Sequence, residues 1–334
     1  MKNALAAIVL VALTASAASA DDIADFYARK TVTISVGSSA GGNYDLYARL
    51  VGRHLGRHIP GAPTVIVQNM PGAGSRRLAN VIYNVGPHDG TMIGLPNQGI
   101  AMDQALGAEG VQFDARKFHW IGSTIEEVNV FWAWHTYPVR SIEDAKLHEF
   151  VAGATGPGSP TTFYPKIMNT LIGTKFKVVA GYPGSNELDL AIEKGEVGGR
   201  VVGWSSLKIT GDFVATGKAV VMLQFGQRKW PDLPNVRQLQ ELAGNDRDRA
   251  IFDYLCLVPA MGRPFFMPPG TPVERAAAVR AAFAATMKDP AFLDEAKRSK
   301  LEISPLSGDD LVRLVERMFN APADVRAAAK AAME

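Results

Sequence analysis

Residues 31–36 alternate β-branched and small polar side chains and stop at Gly37, a pattern that predicts a strand. From Asn43 as a helix N-cap, Tyr47, Leu50, Val51 and Leu55 fall at i, i+3, i+4 and i+8, one apolar stripe of a helix that Pro60-Gly61 ends. Thr64 to Val67 reads as a second strand, Ser75 to Tyr83 as a second helix and Thr91 to Leu95 as a third strand. This βαβαβ order predicts a mostly parallel sheet with helices on its faces and ligands beyond the carboxyl ends of the strands. Asn129 to Trp134, Glu149 to Ala152, Phe176 to Ala180, Arg200 to Val202 and Ala219 to Gln224 form a second series. The fold class is therefore α/β, in two lobes. After Val258 the texture changes to Pro/Gly turns and alanine-rich helices predicted over Pro272 to Met287, Pro290 to Ser299 and Asp309 to Met333, which pack back on an existing lobe.

Length supports the two-lobe reading, since 334 residues exceed one average domain core of roughly 100–150 residues. A net charge of +2 with 20% charged residues lacks the basic bias of a phosphate-backbone binder, so nucleic acid is not an expected partner. The first twenty residues stand apart: Lys2, the apolar run Ala4 to Leu13, and Ala18-Ser19-Ala20 before Asp21-Asp22 form a secretory signal peptide with its cleavage site. Cys256 is the one cysteine, flanked by leucines; it forms no intramolecular disulfide, offers no cysteine-rich metal site and reads as a small buried residue. Export without a disulfide points to the periplasm.

Gly37-Ser38-Ser39-Ala40-Gly41 spells G-x-S-x-G between a strand and a helix, as a hydrolase nucleophile elbow does. The histidine expected after the acid in that order is missing, because all six histidines lie before residue 149. An exported hydrolase using Ser39 is retained only as an alternative. Gly217-Lys218 lacks the following Ser or Thr of a phosphate loop, and His54 and His58 lack the glutamate of a zinc helix, so no cofactor or metal is expected. What remains is Ala40-Gly41-Gly42-Asn43-Tyr44-Asp45, where glycines allow close backbone approach and a helix N-terminus offers free amides, a setting for a carboxylate. Asp45 stands i, i+4 to Arg49. Asn69-Met70-Pro71-Gly72-Ala73-Gly74-Ser75 repeats the arrangement after the second strand. The second lobe adds Gly153 to Thr162, rich in glycine and hydroxyls, and Gly181 to Ser185. Tyr44, Tyr182, Trp204 and Trp132 are candidate pocket walls, with packing in the core as the alternative for the tryptophans.

Together these residues resemble the periplasmic receptors of the tripartite tricarboxylate transporter family, also called Bug or TctC-like receptors, over nearly the whole mature chain. The markers are Gly41-Gly42-x-x-Asp45-x-x-Ala48-Arg49, Asn69-x-Pro71-Gly72-Ala73-Gly74, Pro87-x-Asp89-Gly90-Thr91, Pro231-Asp232-Leu233-Pro234-Asn235-Val236, and Gly262-Arg263-Pro264-Phe265 with Pro268-Pro269-Gly270-Thr271-Pro272. Ser75, His88 and Asn235 depart from the pattern, and Phe131 to His135 is more aromatic than the usual hinge strand.

The resemblance implies a type II periplasmic binding protein fold that closes over a ligand. One lobe would hold residues 21–126 and 261–334, the other 127–260, with crossovers near Thr124 to Asn129 and Pro259 to Arg263. It also implies that backbone amides and water bind the carboxylate. Ser39, Ala40, Gly41, Gly42, Tyr44 and Asp45 with Gly72, Ala73 and Gly74 would form one jaw; Gly156, Gly158, Ser159 and Thr161 with Tyr182 and Trp204 would form the other. The implied function is capture of a small organic carboxylate, without bond breaking, by a monomer that delivers it to the large and small integral subunits of a membrane transporter. A receptor for a signalling partner is the remaining alternative. Backbone amides read a carboxylate generically, so a dicarboxylate, a tricarboxylate and an aromatic acid all stay open.

Overall fold

The computed structural model describes residues 22–210 and 212–333; the signal peptide expected from the sequence lies outside the described residues. The first half alternates strands β1 (Thr31–Val36), β2 (Thr64–Asn69), β3 (Met92–Leu95) and β4 (His119–Ser123) with helices α1 (Asn43–Leu55), α2 (Arg76–Asn84) and α3 (Ile100–Ala105). β1 lies between β2 and β3, parallel to both, and its Val32, Ile34 and Val36 are fully buried. Val36 pairs with both Asn69 and Leu95, so the three strands end level and their following loops meet at one edge.

The chain then crosses to a second sheet made of β5 (Asn129–Trp134), β6 (Phe150–Ala154), β7 (Phe176–Ala180), β8 (Gly199–Gly203) and β9 (Ala219–Phe225), in the order β7-β6-β8-β5-β9. β6 runs parallel to β7 and β8, whereas β5 is antiparallel to β8 and β9, so the sheet is mixed. Helices α4 (Ile142–Leu147), α5 (Pro160–Ile172), α6 (Ser185–Glu193), α7 (Trp204–Ile209), α8 (Asp246–Leu255) and α9 (Leu257–Ala260) accompany it.

The return crossing enters β10 (Pro264–Met267), which inserts antiparallel between β3 and β4 and so makes the first sheet mixed as well. The two crossings run against each other: the Arg263 amide donates to Ser123 Oγ at 2.8 Å. A Cβ on Gly262, whose φ is +59°, would lie 1.8 Å from the Ile125 carbonyl oxygen. Only glycine tolerates both that backbone conformation and that approach.

Helices α10 (Val273–Thr286), α11 (Pro290–Arg298), α12 (Gly308–Asn320) and α13 (Ala323–Ala331) complete the described chain, with a two-residue strand β11 (Leu306–Ser307) pairing β4. The single helix expected over Asp309 to Met333 is in fact two. Pro322 favours an extended residue before it, and Ala321 takes φ −58° and ψ 149°. α13 packs on α8, and Lys166 and Thr170 of α5 donate to the Met333 and Ala332 carbonyls at 2.8 and 3.0 Å. Aromatic pairs stack in both interiors: Phe118 stacks on Phe266 with centroids 4.0 Å apart, and Tyr164 stacks on Phe225 at the same separation. Cys256 is fully buried there, and burial pushes its thiol up to about 12, which keeps it an inert thiol. No described helix is long and apolar enough to cross a membrane.

Candidate functional site

The loops at the level ends of β1, β2 and β3 are tied to one another by side chains. Ser75 Oγ donates to the Gly37 carbonyl and accepts from the Asn97 amide, both at 3.0 Å. Asn69 donates to the Ser38 carbonyl at 3.0 Å and to Asp45 Oδ1 at 2.9 Å. Asp45 Oδ2 also accepts from the Gly41 amide and from Arg49 Nε, each at 2.8 Å. Burial alone would raise the Asp45 pKa, but the hydrogen bonds from Arg49, Gly41 and Asn69 outweigh it and hold the carboxyl below its ordinary value.

Facing these loops are those of the second sheet. The Thr155 amide donates to Thr161 Oγ1 at 3.0 Å, and Thr162 Oγ1 donates to the Gly156 carbonyl at 2.6 Å, which curls this loop over the start of α5. The two faces touch. Ser39 Oγ donates to Glu187 Oε2 at 2.9 Å and the Ser39 amide to the Pro183 carbonyl at 3.2 Å. A Cβ on Gly156 would stand 3.0 Å from the Gly74 backbone nitrogen.

Between them lies a cavity of about 540 Å³. Its walls include Tyr44, Gly72, Ala73, Gly74, Gly156, Ser159, Thr161 and Tyr182, all expected from the sequence. Ser39, Ala40, Gly41, Gly42, Asp45, Gly158 and Trp204 lie off the wall. Ser39 is occupied at the rim with Glu187, not with a histidine. Asp45 braces the first loop from behind. Gly158 backs onto Asp103, whose carboxyl a Cβ there would meet at about 2.6 Å. Trp204 packs with Trp132 and Phe213 in the second core and donates Nε1 to Asp232 at 3.0 Å.

The wall also contains Ser38, Asn43, Gln98, Asn129, Arg200 and Arg263, which the sequence reading did not assign as site residues. Asn129 and Arg263 had been placed only as ends of the two crossings, and those crossings form part of the wall. Arg263 is 2% exposed and lies over the Tyr44 and Tyr47 rings at 4.6 and 5.4 Å. Its Nη2 donates to Ser206 Oγ at 2.6 Å and faces Glu127 Oε2 at 3.4 Å. Burial pushes the Glu127 carboxyl up, against the pull of Arg263 and of hydrogen bonds from Ser205 and Val128. Arg200 is held by Asp189 through two bonds of 2.8 and 3.0 Å. Both guanidinium groups thus have carboxylate partners inside the protein.

Five atoms on this wall are buried without a hydrogen-bond partner: Ser38 Oγ, Asn43 Nδ2, Gln98 Oε1, Asn129 Nδ2 and Arg263 Nε. Buried polar groups are normally paired, so such a cluster on one cavity marks where another molecule's polar atoms belong. Gln98 was legible in principle, since Asn97-Gln98-Gly99 follows β3 as the other loops follow their strands. Among the described residues no group of three or more His, Cys, Asp or Glu side chains is placed to hold a metal ion.

Two α/β units joined by two crossings, with a cavity between them, define the two-lobed fold of periplasmic binding proteins. Solved structures of that class superpose on nearly the whole chain. The periplasmic binding protein BugD matches with a TM-score of 0.71 at 18% identity, covering 91% of this chain and 97% of its own. Rpa4515 of R. palustris, solved with adipate, matches at 0.69 and 21% identity over 91% of this chain and 97% of its own. MatC from Rhodopseudomonas palustris, with bound malate, matches at 0.69 and 18% identity over 92% and 99%. BugD belongs to the receptor group that the sequence markers resemble. No protein-family model matches the chain, and no curated protein matches it in sequence.

Proposed function

We propose that this protein is a periplasmic solute-binding receptor of the tripartite tricarboxylate transporter type, which closes its two lobes over a small organic carboxylate. The observation that carries the reading is the set of unpartnered buried donors on the cavity wall: Ser38 Oγ, Asn43 Nδ2, Asn129 Nδ2 and Arg263 Nε. Donors without acceptors call for an acceptor-rich guest, and a carboxylate brings about four lone-pair sites in a small volume. The adipate and malate in two structural neighbours are guests of that chemistry.

In this reading the lobes are residues 21–126 with 261–334 and residues 127–260, and they hinge where the crossings pass at residues 124–129 and 259–263. A ligand contacting both jaws favours the closed form by its differential contacts. The loaded receptor then presents itself to the large and small membrane subunits, as a monomer in the periplasm after removal of its signal peptide. No step breaks a bond in the ligand.

A thermal-shift screen against mono-, di- and tricarboxylates tests this. A ligand at a hundred times its Kd stabilises the folded state by about 2.7 kcal/mol and raises the midpoint accordingly. If no carboxylate raises it, while the protein unfolds cooperatively, the reading fails.

A further inference from the structure

Gln98 and Asn129 meet at the cavity wall, one at the end of β3 and the other opening β5, and Gln98 Nε2 donates to Asn129 Oδ1 at 2.8 Å. Both are buried, Gln98 at 4% and Asn129 at 0% exposure. That bond uses one donor and one acceptor and leaves Gln98 Oε1 and Asn129 Nδ2 without partners. The orientation of a side-chain amide is an assignment, but the conclusion does not depend on it. Turning one amide alone would set oxygen against oxygen or nitrogen against nitrogen. Turning both leaves Gln98 Nε2 and Asn129 Oδ1 free instead. In either case the pair offers the cavity one unpartnered NH₂ group and one unpartnered C=O.

We propose that the Gln98–Asn129 pair recognises a neutral donor–acceptor group on the ligand, a carboxamide or a hydroxyl, so that the guest is a carboxylate carrying such a group and not a simple fully ionised diacid. The inference rests on the receptor reading above and concerns the part of the ligand away from its captured carboxylate. A second carboxylate placed here would set an acceptor-only group against the free C=O, leaving that oxygen unpaired and repelled. Nor does the neighbourhood supply surplus positive charge to offset this. Arg263 is matched by Glu127 and Arg200 by Asp189. A carboxamide meets both free atoms at once, its carbonyl accepting from the N–H and its NH₂ donating to the C=O. Tyr44, whose hydroxyl accepts from the Gln98 backbone N–H at 3.0 Å, fixes the backbone of Gln98.

The test is calorimetry at pH 7.5 on the full mature chain with matched pairs of equal length: succinate and succinamate, glutarate and glutaramate, adipate and adipamate. At the chain length that binds best, the monoamide should bind about tenfold or more tighter than its diacid. In Gln98→Met, which dismantles the pair without adding charge, that preference should fall below about threefold. A diacid that binds as tightly as its monoamide overturns the inference and leaves the receptor reading standing. So does a preference that survives in folded Gln98→Met. If no member of this series or of the wider carboxylate panel binds, the receptor reading fails and this inference with it.

Discussion

Removing the Arg263 guanidinium should cost far more stability than its small size suggests, because it strands a buried acid. Arg263→Met keeps the length and apolar stem of the side chain but leaves Glu127, 4% exposed, without its cationic partner. At 3.4 Å and an effective dielectric near 20, the lost attraction is about 5 kcal/mol. The Ser205 and Val128 amides and the Ser205 hydroxyl still donate to Glu127 and offset part of it. A net loss of about 3–5 kcal/mol is expected, the range for breaking one partner of a buried pair.

Urea unfolding followed by circular dichroism at pH 8, compared at constant slope, reads this loss. Glu127→Gln in the same chain removes the stranded charge, so the double variant should recover at least half of it. The deficit should also depend on pH. Burial already raises the Glu127 pKa above its ordinary 4.5, and losing Arg263 raises it further. The folded state then binds a proton that the unfolded state releases, and stability falls as pH rises from about 4.5 through the folded pKa. The deficit should therefore be smallest below that window and largest above it. A single variant that loses less than about 1 kcal/mol, or a double variant no more stable than the single one, would refute the account of a charge-matched pair beside the cleft.

Asp45→Ala should leave the chain folded, cost about 1–3 kcal/mol and weaken ligand binding about tenfold, since the loop carrying Ser38 and Asn43 loses its brace to Gly41 and Asn69. Its bond to Arg49 adds little, because that guanidinium is 43% exposed. As the folded Asp45 pKa is depressed, its contribution is present above the ordinary 3.8 and lost as pH falls through the folded value, so the two proteins should converge in acid. Calorimetry showing unchanged affinity would remove Asp45 from the site. Gly156→Val should wedge the cleft open, because a Cβ there already stands 3.0 Å from the Gly74 backbone nitrogen. Affinity should fall more than tenfold with the unfolding midpoint of the ligand-free protein within a few degrees of the parent, and small-angle scattering should show ligand no longer compacting the molecule; compaction at unchanged affinity would refute the closed contact.

The sequence by itself determined the alternation of strands and helices in the first half, the glycine loops at the strand ends and the second αβ series, because these follow from local periodicity and turn chemistry. Pro322 was also a local signal, and it divides the last helical stretch. Only the tertiary structure decided which polar side chains still have something to bind. Asp45 was expected in one jaw of the site, i, i+4 to Arg49, and is spent on Gly41, Arg49 and Asn69. Trp204 stood open between pocket wall and core and is packed in the second core with its Nε1 on Asp232. Arg263 looked like a hinge residue and lies on the cleft wall with Glu127, 136 positions earlier in the chain. Gln98 and Asn129 find each other across 31 positions and leave one NH₂ group and one C=O over. Whether a buried polar atom is satisfied depends on partners brought from distant segments, and no local window of sequence contains them.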